Sequence, residues 1–282
     1  MADLLRRRRR FSVFWIAALV FAVFWLIVAG APFYYLITIS LKSQGEFLRG
    51  SLFKLPEKFS LHNYSAVMRG EFLNYLFNSV IVLVVSLTIL LIVSACAAYP
   101  LSRMKFKLNK PIFSLIVAAM SIPIHITLIP VFGMAIRFGF YDHLYALFGP
   151  YVAFNLPLSV FVLTAFMGGI SREMEEAAEI DGCGKFSTFF KVILPLSRSG
   201  LATLAIYNGV VIWNEFSFVM VLTQSPKNFT LPLSVWQYQG QYTMDVPLIM
   251  ALLVLASLPI ILLYVFGQDK LVKGMMAGAV KG

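Results

Sequence analysis

The chain is predicted to be an all-α, polytopic membrane protein with six transmembrane helices and one charged loop on the cytoplasmic face. Three observations predict this. Hydrophobic residues make up 60% of the 282 positions and charged residues only 13%, against roughly 25% charged in soluble domains. Mean hydropathy is +0.83. The apolar residues fall into six runs of about twenty or more, long enough for a helix to cross a hydrocarbon core of about 30 Å. A bilayer admits only helices or closed barrels, and none of the runs alternates as an amphipathic strand does.

The predicted spans are 11–39, 76–101, 111–136, 144–166, 201–222 and 246–266. Five arginines, Arg6 to Arg10, precede the first span and form a basic N-terminus over 1–10. With Ala29-Gly30-Ala31 they mimic a cleavable signal peptide. The apolar run exceeds the usual 7–15-residue core of such a peptide and continues to Ile39, so an uncleaved span is predicted. Between the first two spans, Leu55 to Ser60 with Asn63-Tyr64 reads as an extended turn followed by a short interfacial helix. The second span opens on Asn78-Ser79 and closes on Ala97-Ala98-Tyr99-Pro100-Leu101-Ser102-Arg103. His125 in the third span reads as a packed polar residue. Asn155 and Pro157 in the fourth mark a helix irregularity. The transmembrane domain covers 11–267 and a cytoplasmic tail covers 268–282.

Orientation follows from the basic residues. With the N-terminus inside, the cytoplasmic segments hold Arg6 to Arg10, Arg103, Lys105, Lys107, Lys110, Arg172, Lys185, Lys191, Arg198, Lys270, Lys273 and Lys281. That is sixteen of the 23 Lys and Arg, leaving seven outside. Both termini are therefore predicted cytoplasmic. The net charge of +10 is accounted for by these flanks and not by a nucleic-acid partner. Cys96 and Cys183 fall at different depths, so inert thiols are expected and no disulfide. The histidines His62, His125 and His143 are scattered, and no metal-ligand spacing occurs. No nucleophile–base constellation is visible either, so no catalytic residue is assigned.

The segment 171–199 is charged and helix-forming, between two spans. Ser171 can cap a helix whose first turns hold Glu173, Glu175 and Glu176, acids that the positive end of the helix dipole favours. Ala177 and Ala178 are strong helix formers with small side chains that let a partner's surface approach the backbone. Asp181-Gly182 ends the helix in a left-handed turn. A second short helix, about 185–193, then runs to Leu194-Pro195, where proline is expected to break it.

The pattern Glu176-Ala177-Ala178, three residues, Gly182, nine residues, Val192, one residue, Leu194-Pro195 resembles the EAA loop of ABC importer permeases. Val192 stands where isoleucine is usual. Three further stretches resemble the carbohydrate-uptake branch, and in particular the second membrane subunit of maltose-type transporters. These are the Asn78-Ser79 and 97–103 ends of the second span, Trp213-Asn214-Glu215-Phe216 with Leu222-Thr223 and Thr230-Leu231-Pro232, and the ending 277–282.

The resemblance implies that Glu176, Ala177, Ala178, Asp181, Gly182, Leu194 and Pro195 couple the chain to an ATP-hydrolysing subunit present in two copies. It also implies a second, homologous permease subunit and an extracytoplasmic sugar-binding protein. The host membrane would be a bacterial or archaeal cytoplasmic membrane. No G-x-x-x-x-G-K-[ST] loop occurs in the chain, so ATP and Mg belong to the partner and no cofactor is expected here. Glu215, with Asn214 and Asn208, either lines the translocation path or makes an interhelical polar contact. By the same resemblance, the outer loop 224–245 reaches into the binding protein, with Tyr238, Gln239, Gln241 and Tyr242 as its polar heads. The shared loop also allows a non-sugar solute. A secondary transporter would need several intramembrane acids and an internal repeat, and the sequence offers Glu215 alone and no repeat.

Overall fold

A computed structural model describes residues 13–50, 54–235 and 244–279. The described residues form helices joined by short connections. Those among 1–69 and 238–255 form one compact unit, and those among 70–237 and 256–282 form another.

In the first unit, α1 (Val13–Ser40) runs 28 residues through Pro32, and from Trp15 to Ile37 none of its apolar residues is buried. A helix with no polar face is built for lipid or a partner helix rather than for water. After it come α2 (Gln44–Arg49) and α3 (His62–Arg69), so the short helix expected near Asn63 exists. Asn63 locks it in place by donating 2.8 Å bonds to the carbonyls of Ser40 and Lys42 at the end of α1. The Tyr64 hydroxyl meets Ser40 Oγ at 2.6 Å.

The second unit is built around α4 (Phe72–Arg103), a helix of 32 residues. Next come α5 (Asn109–Ala119) and α6 (Leu128–Arg137), then α7 (Phe148–Gly168), which packs along α4. The helices α8 (Glu173–Ile180), α9 (Lys185–Thr188) and α10 (Leu194–Leu196) make the charged loop. α11 (Arg198–Trp213) lies against α4 and α7, and α12 (Ser217–Leu222) and α13 (Leu231–Ser234) follow. α14 (Val246–Ala279) begins in the first unit and ends in the second. At Gly200 α11 packs tightly on α7: a Cβ there would lie 2.9 Å from the Phe166 ring. Two apolar cores form, one around Tyr151, Phe218 and Leu222 and one around Tyr99, Leu163, Met167 and Phe189.

All six apolar runs fall on helices, but not all as predicted. Among the described residues three helices are long and apolar enough to cross a membrane: Trp15–Ser40, Phe72–Arg103 and Leu144–Gly168. The fourth predicted span is helical straight through Pro157. The third is broken, its halves meeting at 93°. Pro123 is the cause: it lacks an N–H and keeps Ile122 out of the α region. The chain resumes as a 3-10 turn, Ile124–Thr127, and His125 on this turn is exposed rather than packed. The fifth span, expected to be continuous over 201–222, stops at Trp213 and restarts at Ser217. In the sixth the apolar stretch is Val246–Leu262.

Candidate functional site

The charged loop forms two short helices joined at a corner. The Glu173 amide donates to Ser171 Oγ at 3.3 Å, and three glutamates occupy the first turn of α8. At the other end Gly182 has φ +81. The amides of Asp181, Gly182 and Cys183 donate to the carbonyls of Ala177, Glu179 and Ala178, which satisfies the open end of the helix as a left-handed glycine permits. A Cβ on Gly182 would meet nothing within 4 Å.

Glu176, Ala177, Ile180, Asp181, Gly182 and Phe186 are exposed, Ile180 and Phe186 by 86% and 84%. Ala178 is buried. Successive helical residues are about 100° apart, so the two alanines cannot both face outward. Ala178 lets the loop lie close to its own protein, and only Ala177 keeps the outer approach open.

Pro195 does not break the second helix. It sits in the first turn of α10, where a missing N–H costs little. The irregularity lies upstream instead: Phe189–Ile193 is a π turn, and the Leu194 amide reaches back to the Phe189 carbonyl. The chain turns only after Leu196, by 69° into α11. Leu194 and Pro195 are half-buried, so they shape the loop's exit and are not part of its exposed face.

The end of α4 braces the loop. Arg103 Nη2 donates to the Ile170 carbonyl at 2.6 Å, and its Nε lies 3.0 Å from Glu175 Oε1. Its side chain is only 4% exposed. The Tyr99 hydroxyl donates to the Lys185 carbonyl at 3.3 Å, and its ring packs 5.0 Å from that of Phe189. Asn109 Nδ2 caps the same end, donating to the Leu101 and Met104 carbonyls. In the sequence Arg103 stands out as a topological charge and as the end of the 97–103 stretch, not as a brace for the loop. The detectable signal was its place at the end of a span with Tyr99 one turn earlier.

The candidate path residues do not converge. Asn208 is fully buried and donates to Ser159 Oγ on α7 at 3.0 Å, while its Oδ1 has no hydrogen-bond partner. Asn214 is exposed and donates to the Val210 carbonyl of its own helix. Glu215 lies in the break of the fifth span. Its carboxylate accepts the Phe218 amide at 3.0 and 3.1 Å and the Tyr151 hydroxyl at 2.7 Å. It thereby caps α12, which explains how an apolar span is interrupted there.

At the opposite end of the unit, Asp142 clips the start of the connection that follows α12. Its backbone has φ 58, an angle that Asp tolerates better than most residues. Oδ1 accepts the amides of Gln224 and Ser225 at 2.9 and 2.8 Å and Asn228 Nδ2 at 3.1 Å, and Oδ2 accepts the Ser225 hydroxyl. Burial alone would raise this carboxyl's pKa, but the bonds from Ser225, Gln224 and Asn228 outweigh it and hold it well below the usual carboxylate range. Asn74 and Asn78 donate to the Lys227 carbonyl, Asn78 also to that of Phe229, and Ser79 Oγ accepts the Leu231 amide. Tyr238, Gln239, Gln241 and Tyr242 lie outside the described residues. Among the described residues no cluster of three His, Cys, Asp or Glu side chains could hold a metal ion.

Comparison with known proteins agrees with this architecture. The family model for the binding-protein-dependent transport system inner membrane component matches residues 89–277. A protein described as an ABC transporter permease in Caldicellulosiruptor sp. (strain Rt8B.4) is 49% identical, covering 93% of this chain and 96% of that protein. The melibiose/raffinose/stachyose import permease protein of Bacillus subtilis (strain 168) is 35% identical, covering 89% and 91%. Among solved structures, a chain of a bacterial ABC transporter involved in the import of the acidic polysaccharide alginate superposes with a TM-score of 0.80, at 22% identity, covering 93% of this chain and 97% of that one. The chain belongs to the family of binding-protein-dependent transport system inner membrane components.

Proposed function

We infer that this chain is a membrane-spanning subunit of an ATP-driven importer that passes a sugar or oligosaccharide delivered by an extracytoplasmic binding protein. The observation that carries this reading is the exposed corner of α8 and Gly182, presented on a loop that Arg103 and Tyr99 fix to the second span. A loop exposed at its tip and anchored at its root suits a docking point that transmits force. The sugar class is supported by the named substrates of the Bacillus subtilis relative.

The chain itself does no chemistry. ATP and Mg bind two copies of a separate subunit, and a second, similar permease completes the pathway. The charged loop and both termini face the cytoplasm of a bacterial or archaeal cell, and the loop beyond Asp142 faces the binding protein. Affinity purification of the full chain from native membranes, followed by reconstitution in liposomes, tests this. An ATP-hydrolysing subunit is expected to co-purify, with oligosaccharide uptake that requires ATP and the binding protein. Uptake that continues without ATP in the presence of an ion gradient would overturn the reading.

A further inference from the structure

The breaks in the third and fifth spans are closed differently. In the fifth, the Glu215 carboxylate takes up the Phe218 amide. In the third, Thr127 Oγ1 donates to the Ile124 carbonyl at 2.6 Å, but the rest of the break stays open. Among the described residues no acceptor meets the amides of Ile124 and His125, and no donor meets the carbonyls of Ser121 and Ile122. Ser121 and His125 are themselves exposed.

This open backbone lies deep in the membrane. α5 starts at Asn109-Lys110 and has 11 residues, about 16 Å of helix, which is half of a hydrocarbon core of about 30 Å. Ile124 packs against the same apolar core as Leu83 and Leu87, which sit near the middle of the 32-residue α4. Lipid tails satisfy neither amides nor carbonyls, so irregular backbone at this depth must line water or be buried in protein. A neighbouring transmembrane helix offers little, because its own backbone is already paired internally. An intramembrane histidine likewise faces a partner or an aqueous cavity.

We propose that residues 121–125 line the aqueous route along which the solute passes, with Ser121 and His125 as polar contacts on its wall. This rests on the reading of the chain as an importer subunit and adds where the route runs on this subunit. A polyhydroxylated solute both donates and accepts hydrogen bonds, so it can replace water at the open amides, the open carbonyls and the imidazole. Ile122 and Ile126, also exposed, present apolar surface to the C–H faces of a sugar ring.

His125→Cys, in a background lacking Cys96 and Cys183, would be tested in the reconstituted transporter with its binding protein. The probe is a trimethylammonium methanethiosulfonate, which reacts with thiolates. Two pKa units of burial would slow that reaction about 100-fold. The His125→Cys thiol is therefore expected to react about 100-fold faster than Leu26→Cys, placed on the apolar α1. Trapping with ATP and vanadate is expected to change the rate about tenfold, since a minor state holds about 10% or less of the molecules. Ser121→Cys should behave likewise, and stands in if the first variant fails to assemble.

Thiols at both positions as slow as Leu26→Cys would overturn the proposal. So would rates indifferent to vanadate in a complex that hydrolyses ATP. Reaction only after the complex is dissociated would place 121–125 against the second permease, and would equally overturn it. Each of these results leaves the importer reading standing where uptake is ATP-driven. ATP-independent uptake with both thiols still reactive would sink that reading alone.

Discussion

Gly182 offers the cleanest separation of a protein's own stability from its grip on a partner. Its φ of +81 is unfavourable for any residue with a Cβ, yet a Cβ there would touch nothing within 4 Å of the chain. The internal cost of Gly182→Ala or Gly182→Asp is thus the backbone term alone, about 1–2 kcal/mol. It falls on a corner whose root is held separately by Arg103 and Tyr99. The loop should stay folded and the protein should insert normally.

If a partner surface sits over that corner, a side chain also disrupts the docking. Loss of a well-packed interface contact costs about 2 kcal/mol or more, roughly 30-fold in affinity. Asparagine tolerates the left-handed region better than alanine and is bulkier, so comparing Gly182→Asn with Gly182→Ala isolates the second effect from the first. Uptake and ATP hydrolysis measured together in proteoliposomes are expected to show transport falling steeply in both the Asp and Asn variants, with complex recovery less affected. Coupled, wild-type transport in both would refute the reasoning. Rescue by Asn alone would reduce Gly182 to a turn former.

Three further outcomes are expected. In a background lacking both native cysteines, Lys227→Cys should react with an impermeant thiol reagent in intact cells and Glu179→Cys should not; the reverse pattern would invert the topology. Glu215→Leu strands the Phe218 amide and the Tyr151 hydroxyl at a cost of about 1–3 kcal/mol and should lower the yield of folded protein, whereas Glu215→Gln keeps an acceptor and should largely restore it. Normal recovery of both with poor uptake would move Glu215 into the translocation path. The Asp142 clip carries a carboxyl whose native pKa is depressed, so its stabilisation is complete above the ordinary value near 3.9 and is lost only as pH falls through the lower native value. Hydrogen exchange at 224–229 should show protection unaffected by this carboxyl between about pH 5 and 8, and Asp142→Asn should reduce protection throughout that range. Increased exchange in the wild type on acidification from pH 7 to 5 would contradict that account.

The sequence made much of this molecule readable because lipid imposes simple rules. Runs such as 76–101 and 144–166 declare themselves by length and hydropathy, and Gly182 announces its turn because few other residues adopt it. The interruptions at 120–123 and 214–216 were hidden because hydropathy averages over a helix and its break alike. Pro123 was visible, but proline also occurs inside intact helices here, as Pro157 does. Glu215 looked like an isolated intramembrane acid, since its partner Tyr151 lies 64 positions away. The Asp142 clip reaches across more than 80 positions, beyond any periodicity. Ala178 was assigned to the wrong face because a motif records identity and spacing, not which side a helix turns inward.

The second span grips different structures at its two ends. At one end Tyr99 and Arg103 hold the charged loop; at the other Asn74, Asn78 and Ser79 hold 227–231. With 32 residues at about 1.5 Å each, the helix is a strut of about 48 Å. Axial compression of such a strut would have to break backbone hydrogen bonds, so a shove delivered at the loop is felt at the far rim as tilt or translation of the whole rod. Load applied at one end of the helix is thereby delivered to the other without a relay of intermediate parts.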